Sequence, residues 1–221
     1  MDEITENVIL TREQKELLLS FAQSHLSSLF YLSGGTALSA FYLHHRFSED
    51  LDFFTVQEIA IEDILAFLKT IPTIKQMTYE RKYDRKIFLL EYPSELFLKV
   101  EFTKYPFEQL AATQKFGGVA VDSIQDIFAN KLIAMTDRRD PKDYVDVYAI
   151  IQAYPSLRIE EAIGQTERKF GVKGIGSMLS GRFLEPPACV GIALTKEIDL
   201  PGIHRFFQET ARALIRRSIG G

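Results

Sequence analysis

Residues 32–54 read LSGGTALSAFYLHHRFSEDLDFF. A Gly-Gly-Thr corner opens the stretch, a mostly apolar run follows, and Asp-Leu-Asp closes it between apolar neighbours. Glycine accepts positive φ and lets another group approach the backbone, so a strand over Phe30-Tyr31-Leu32 can turn through Ser33-Gly34-Gly35 directly into a helix from Thr36 to about His45. Such a helix start presents free N–H groups, which suit a phosphate, and Thr36 adds a hydroxyl. A Gly-Gly corner before a helix is also a common way to turn a chain, and alone it proves nothing more.

The carboxylates raise the stakes. In a strand over Asp50–Thr55, Asp50 and Asp52 project from one face while Leu51 and Phe53 project from the other. Two carboxylates about 7 Å apart repel one another, and beside a buried apolar face they are costly. Either the face is simply wet, or a divalent cation lies on it, since hard oxygen ligands on one face suit Mg²⁺. Further on, Leu96–Thr103 alternates: Leu96, Leu98, Val100 and Phe102 are apolar, Lys99, Glu101 and Thr103 polar. Glu101 sits mid-strand on the polar face. It is either solvent-exposed or, if the strands are neighbours, a third carboxylate for the Asp pair.

Outward from there, Thr11 and Gln14 spell a capping box for a helix through about His25. Ile61–Lys69 reads as a helix stopped before Pro72. Lys86–Tyr92, Pro93-Ser94-Glu95 and Leu96–Thr103 read as a hairpin. From Gly117-Gly118 the pattern turns helical: one helix from Asp122 to about Arg138, a second with Asp140 as N-cap and Pro141 at N1, and a last from about Gly202 to Arg217. Lys169–Pro187, with its glycines and prolines, reads as loop. The expected layout is a mixed α/β part, residues 1–118, and a helical part, residues 119–221.

The helix from Asp122 carries an anomaly. Ile124, Ile127, Phe128 and Met135 form one stripe at about 100° per residue, and Lys131 falls inside it. A lysine centred on an apolar face needs an anionic partner or a cavity. A buried ion pair is one reading, a cation aimed at a polyphosphate the other; Arg138 lies on the same side. In the next helix Asp143 shares a face with Val147 and Ile150, either serving the helix dipole or joining a site, with Asp146 beside it.

Gly34-Gly35-Thr36 followed by His45-Arg46-x-Ser48-x-Asp50-Leu51-Asp52 resembles the opening motif of the nucleotidyltransferases of the AbiEii/AbiGii toxin family, members of the DNA polymerase β-like superfamily. Lys131-Leu-Ile-Ala-Met-x-x-Arg138 and Lys142-Asp143-Tyr144-x-Asp146-Val147-Tyr148 are similar to the later motifs of those toxins. The likeness spans residues 30–151, with Thr36 where many superfamily members carry Ser. It implies an α+β fold: a polymerase β-like core with a mixed sheet, and a C-terminal helical region completing the active site. It further implies Mg²⁺, or Mn²⁺, on Asp50 and Asp52 with Glu101 as the third ligand. Gly34, Gly35 and Thr36 would hold the phosphates of an NTP, aided by Arg46 and Arg138. Lys131 and Asp143 would complete the catalytic set. The implied activity is transfer of an NMP to an acceptor such as RNA or tRNA, by the toxin of a pair with an antitoxin protein. The alternative is a catalytically silent NTP-binding or protein-interaction module with the same fold.

The bulk numbers set outer bounds. A net charge of −4 over 221 residues argues against a surface that is wholly a nucleic-acid footprint. Arg205, Arg212 and Arg216 line one face of the last helix, as a local phosphate-binding stripe or a solvated face. The one cysteine, Cys189, precludes an internal disulfide and reads as a small buried hydrophobe. An acidic N-terminus and no long apolar run lead to the expectation of a cytoplasmic chain with no membrane partner.

Overall fold

The computed structural model describes residues 3–219. The chain forms two compact units. The first runs to Phe107 and resumes over Ala112–Ser123; the second comprises Glu108–Ala111 and the chain from Ile124 onward. The break thus falls at Ser123/Ile124, past the 118/119 boundary expected from the glycines.

The first unit opens with α1 (Arg12–Gln23), whose start is the capping box: Gln14 N–H donates to the Thr11 hydroxyl and Gln14 Oε1 accepts from Thr11 N–H. Next come β1 (Tyr31–Ser33) and α2 (Gly34–Leu38). α2 widens into a single π turn over Ser39–Leu43, ended by His44 in the left-handed region at φ 49°. The expected helix to His45 is therefore shorter and loosens halfway. Then follow β2 (Leu51–Thr55), α3 (Ile61–Leu68), β3 (Gln76–Lys82), β4 (Arg85–Glu91), β5 (Phe97–Lys104), β6 (Gln114–Phe116) and β7 (Val119–Val121).

The strands make one mixed sheet in the order β3-β4-β5-β2-β1-β7-β6. β2 runs antiparallel to β1 and parallel to β5, and β1 runs parallel to β7. One face is the core. Phe53 stacks on Phe102 at 5.1 Å and meets Phe21 of α1 at 4.3 Å, and Phe21 in turn packs edge-on to Phe67 of α3. The period of two that buries Leu51, Phe53, Val100 and Phe102 turns Asp52 and Glu101 to the opposite face. Gly117 and Gly118, expected to end the sheet region, instead make the β6–β7 turn with φ of 53° and 88°.

The second unit holds α4 (Ile124–Asp137), α5 (Pro141–Ala153), α6 (Ile159–Phe170), α7 (Ile175–Leu184) and α8 (Leu200–Ile219). Asp140 caps α5 by accepting from Lys142 N–H, with Pro141 at N1 as expected. Its aromatic centre is Tyr144, Phe183 and Phe207, with ring centroids 4.7–6.2 Å apart. The glycines of the expected loop prove to be helix punctuation: Gly171 ends α6 and Gly174 starts α7, both left-handed. Buried Asp126 of α4 takes Lys169 Nζ at 2.5 Å and the N–H groups of Leu110 and Ala111, which ties the Glu108–Ala111 segment to this unit. Cys189 is a buried free thiol, pushed up in pKa by burial. Among the described residues no helix is long and apolar enough to cross a membrane.

Candidate active site

The glycine corner and the carboxylate strand are packed directly on each other. Ser33 pairs with Asp52 across β1 and β2, so the chain leaves β1 opposite the Asp pair. Gly34 has φ +74°, and a Cβ there would run into the Asp52 carboxylate. At Gly35 a Cβ would lie 2.5 Å from Arg46 Nη2 and 3.1 Å from Ser48 Oγ. Both glycines are thus needed because side chains of the 46–52 segment lie over them. Thr36, almost wholly buried, donates its hydroxyl to the Asp50 carbonyl, a short link that ties the helix start to the base of β2. Arg46 is buried as well, and its Nη1 donates to the Phe47 carbonyl at 2.9 Å.

Beyond capping α1, Gln14 reaches further. Its Nε2 donates to the carbonyls of Ser48 at 2.8 Å and Glu49 at 3.2 Å, so α1 pins the loop that delivers Asp50. Ser33 donates to the Asp122 carboxylate at 2.8 Å, fixing the other end of the corner.

Glu101 lies beside Asp52 in the parallel β2–β5 register. It is 3% exposed, and cations hold both its oxygens. Arg85 donates Nε to Oε2 at 2.7 Å and Nη2 to Oε1 at 2.6 Å, and Lys99 Nζ stands 2.8 Å from Oε1. The same ammonium is 3.0 Å from Asp50 Oδ2. Burial pushes Glu101 up, but Lys99 and Arg85 outweigh it and hold the carboxyl below its ordinary value. Burial likewise lowers Lys99, and its pairing with Glu101 and Asp50 reverses the sign, so its pKa is raised. Lys99 and Arg85 were absent from the sequence-derived site. Lys99's place on the polar face is visible in the alternation of β5; its link to Asp50, and that of Arg85 on β4 to Glu101, depend on strand order.

In the second unit, Lys131 is 9% exposed and clasped by two buried carboxylates. Its Nζ is 2.9 Å from Asp143 Oδ1 and 2.6 Å from Asp146 Oδ2. Arg138, half-exposed, adds a second pair to Asp143: Nε to Oδ2 at 2.8 Å and Nη2 to Oδ1 at 3.1 Å. Burial raises Asp143, but Lys131 and Arg138 together overcome it and its pKa is lowered. The lysine in the apolar stripe therefore has its anionic partners on α5, and the seven-residue step from Lys131 to Arg138 puts both cations on the side that meets them.

Asp50, just before β2, and Asp52 within it offer hard carboxylate oxygens, a donor set that fits a hard divalent cation. Among the described residues no three such side chains stand grouped as a metal cage, in keeping with Glu101 being taken by Arg85 and Lys99.

The profile of the nucleotidyl transferase AbiEii toxin family, of type IV toxin–antitoxin systems, matches residues 16–218. A protein of Aquifex aeolicus is 32% identical over 149 residues, covering 66% of this chain and 68% of that one. Among solved structures, JHP933 of Helicobacter pylori superposes with a TM-score of 0.60 at 19% identity over 92% of this chain and 89% of that one. MenT4, a nucleotidyltransferase toxin of Mycobacterium tuberculosis, superposes with a TM-score of 0.53 at 19% identity over 96% and 88%. At that identity the superpositions speak for the fold.

Proposed function

The chain belongs to the nucleotidyl transferase AbiEii toxin family, and on that premise we propose that it moves an NMP from an NTP to the hydroxyl of an RNA acceptor, tRNA included. We assign it the toxin role, with an antitoxin protein as partner, in the cytoplasm. Membership makes it a nucleotidyltransferase; the metal, acceptor and toxin role are our reading. The observation that carries it is the seating of the Asp52 carboxylate on the Gly34 backbone, with Asp50 just before the same strand.

Asp50 and Asp52 would hold Mg²⁺ or Mn²⁺. When bound, such an ion supplies positive charge at the α-phosphate, where charge develops. The Gly34–Thr36 backbone is suited to phosphate oxygens, while the Thr36 hydroxyl and Gln14 fix the approach of β2 to that corner. Arg46, buried beside Gly35, adds fixed positive charge. For the second unit we assign Lys131 and Arg138 a phosphate-neutralising role, and Asp143 with Asp146 the task of orienting the Lys131 ammonium. The acceptor oxygen forms its bond to the α-phosphorus as the bond to the pyrophosphate oxygen breaks, and the acceptor proton passes to solvent. Rate enhancement in such a transfer rests on positioning and charge stabilisation.

The test is label transfer from α-labelled NTPs to total RNA with Mg²⁺, for the wild type, Asp52→Ala and Lys131→Ala. Transfer by the wild type alone is the expected result. Nucleotide binding without transfer by the wild type would instead make the chain a silent binding module. Growth arrest on expression, relieved by Asp52→Ala, tests the toxin role.

A further inference from the structure

Lys99 occupies an unusual place for a lysine: its ammonium bridges two of the three acidic side chains that the sheet brings together. It is 3.0 Å from Asp50 Oδ2 and 2.8 Å from Glu101 Oε1. Glu101 in turn is gripped bidentately by Arg85, so both its oxygens already face cations. A carboxylate that is 3% exposed, with two fixed cations against it, gives a metal ion little room and meets it with like charge already in place.

Resting on the reading of Asp50 and Asp52 as the metal-binding pair, we infer that Lys99, backed by Arg85, is a built-in replacement for a second metal ion. Glu101 is then the anchor of these cations, not a ligand, and the chain itself holds one divalent ion. Charge arithmetic supports the substitution. Three carboxylates with two divalent ions carry one net positive charge. Three carboxylates with an ammonium, a guanidinium and one divalent ion carry the same. The fixed cations deliver that charge without a second binding equilibrium, and the anchor holds Lys99 against Asp50 at the edge of the metal position. Register supports it too. Asp52 and Glu101 are paired neighbours, Lys99 lies two residues before Glu101 on the same face, and Arg85 pairs with Thr103 from the strand beyond. All of them thus project from one side of the sheet.

The experiment is a Mn²⁺ titration of the full chain, followed calorimetrically and by the electron paramagnetic resonance of free Mn²⁺, with folding of each variant checked by circular dichroism. The wild type is expected to saturate at one Mn²⁺ per chain. Glu101→Gln should keep that stoichiometry with a Kd within about threefold, whereas Asp52→Asn should weaken binding at least tenfold. Lys99→Met, which uncovers Asp50 and Glu101, should tighten Mn²⁺ at least fivefold or admit a second ion. Two ions on the wild type, or a Glu101→Gln loss equal to that of Asp52→Asn, overturns the inference. So does Lys99→Met binding indistinguishable from wild type. If Glu101→Gln does not fold, the wild-type stoichiometry and Lys99→Met still decide. Failure of the parent reading looks different: Asp52→Asn would then bind Mn²⁺ as the wild type does, and Asp52→Ala would retain label transfer.

Discussion

The sheet unit and the helical unit each gather opposite charges, but under opposite conditions of burial. On the sheet, Asp50 is 43% exposed and Lys99 37%, so water and ligands reach the group. In the helical unit, Asp143 and Asp146 are fully buried and Lys131 is 9% exposed, with two carboxylates matched by two cations. The first group holds carboxylates that water reaches, so it can take a cation. In the second, the buried carboxylates depend on Lys131 and on the half-exposed Arg138 to stay charged out of water. Substitutions on the sheet should therefore act on chemistry, and those in the helical cluster on folding as well.

Asp52→Asn tests the sheet side of that contrast and should have the largest effect. Removing one metal-facing carboxylate charge is expected to lower label transfer on the order of a thousandfold, or about 4 kcal/mol of transition-state stabilisation. Stability in urea should move by less than about 1 kcal/mol, because Asp52 is part-exposed. A large loss of stability in this variant would erase the distinction between the two groups.

Asp143→Asn tests the other side. Breaking a buried pair while leaving its partner buried costs about 3 kcal/mol, measurable as a shift in the urea midpoint. The pH dependence has a definite sign. Asp143 is lowered in the folded state, so its stabilising contribution is present above the unfolded carboxyl pKa of about 4 and is lost as pH falls through the folded value. The gap between wild type and Asp143→Asn should accordingly be full at pH 7 and close below about pH 4. A gap that does not change with pH would mean that Asp143 acts through packing alone.

The two groups also differed in how far the sequence betrayed them. Period-two alternation puts Asp50, Asp52 and Glu101 on polar faces, because they alternate with Leu51, Phe53, Val100 and Phe102. Their neighbourhood depends on strand order, which puts β5 beside β2 and leaves β3 and β4 outside, so nothing local in the sequence ties Arg85 to the carboxylates. β3 itself, QMTYERK, is nearly all exposed and has no apolar face to reveal it. The short β6 and β7 are masked by the Gly117-Gly118 turn that joins them. In the helical unit the misplaced lysine was legible from its stripe, since helical phase is local. Its two acids lie 12 and 15 positions on, and only the packing of α4 against α5 brings them to it. α7 was lost to glycines that cap helices instead of dissolving them.

Gly34→Ala joins chemistry and stability in one residue and should fall next in size. Positive φ alone penalises a Cβ by about 1 kcal/mol, and displacing the Asp52 carboxylate adds to it, for a total near 2 kcal/mol. The variant should lose label transfer beyond what its stability loss explains, measured well below its melting temperature. Retention of full activity would mean that the seating of Asp52 on the corner is incidental.

The smallest effect belongs to a charge pair with neither burial nor a ligand. Arg205 Nη2 lies 3.0 Å from Asp199 Oδ2, with 66% and 53% of the two side chains exposed. Water screens that attraction nearly as well as it screens the separated charges, so Arg205→Ala should change stability by less than about 0.5 kcal/mol. Asp199 is a different matter, because its Oδ1 also accepts from Gly202 N–H at 2.9 Å in the first turn of α8. Asp199→Ala should cost about 1 kcal/mol, a capping loss that persists in high salt. If Arg205→Ala matched Asp199→Ala in urea denaturation, exposed pairing would carry real weight in this fold, and burial would no longer be what separates the helical cluster from the sheet.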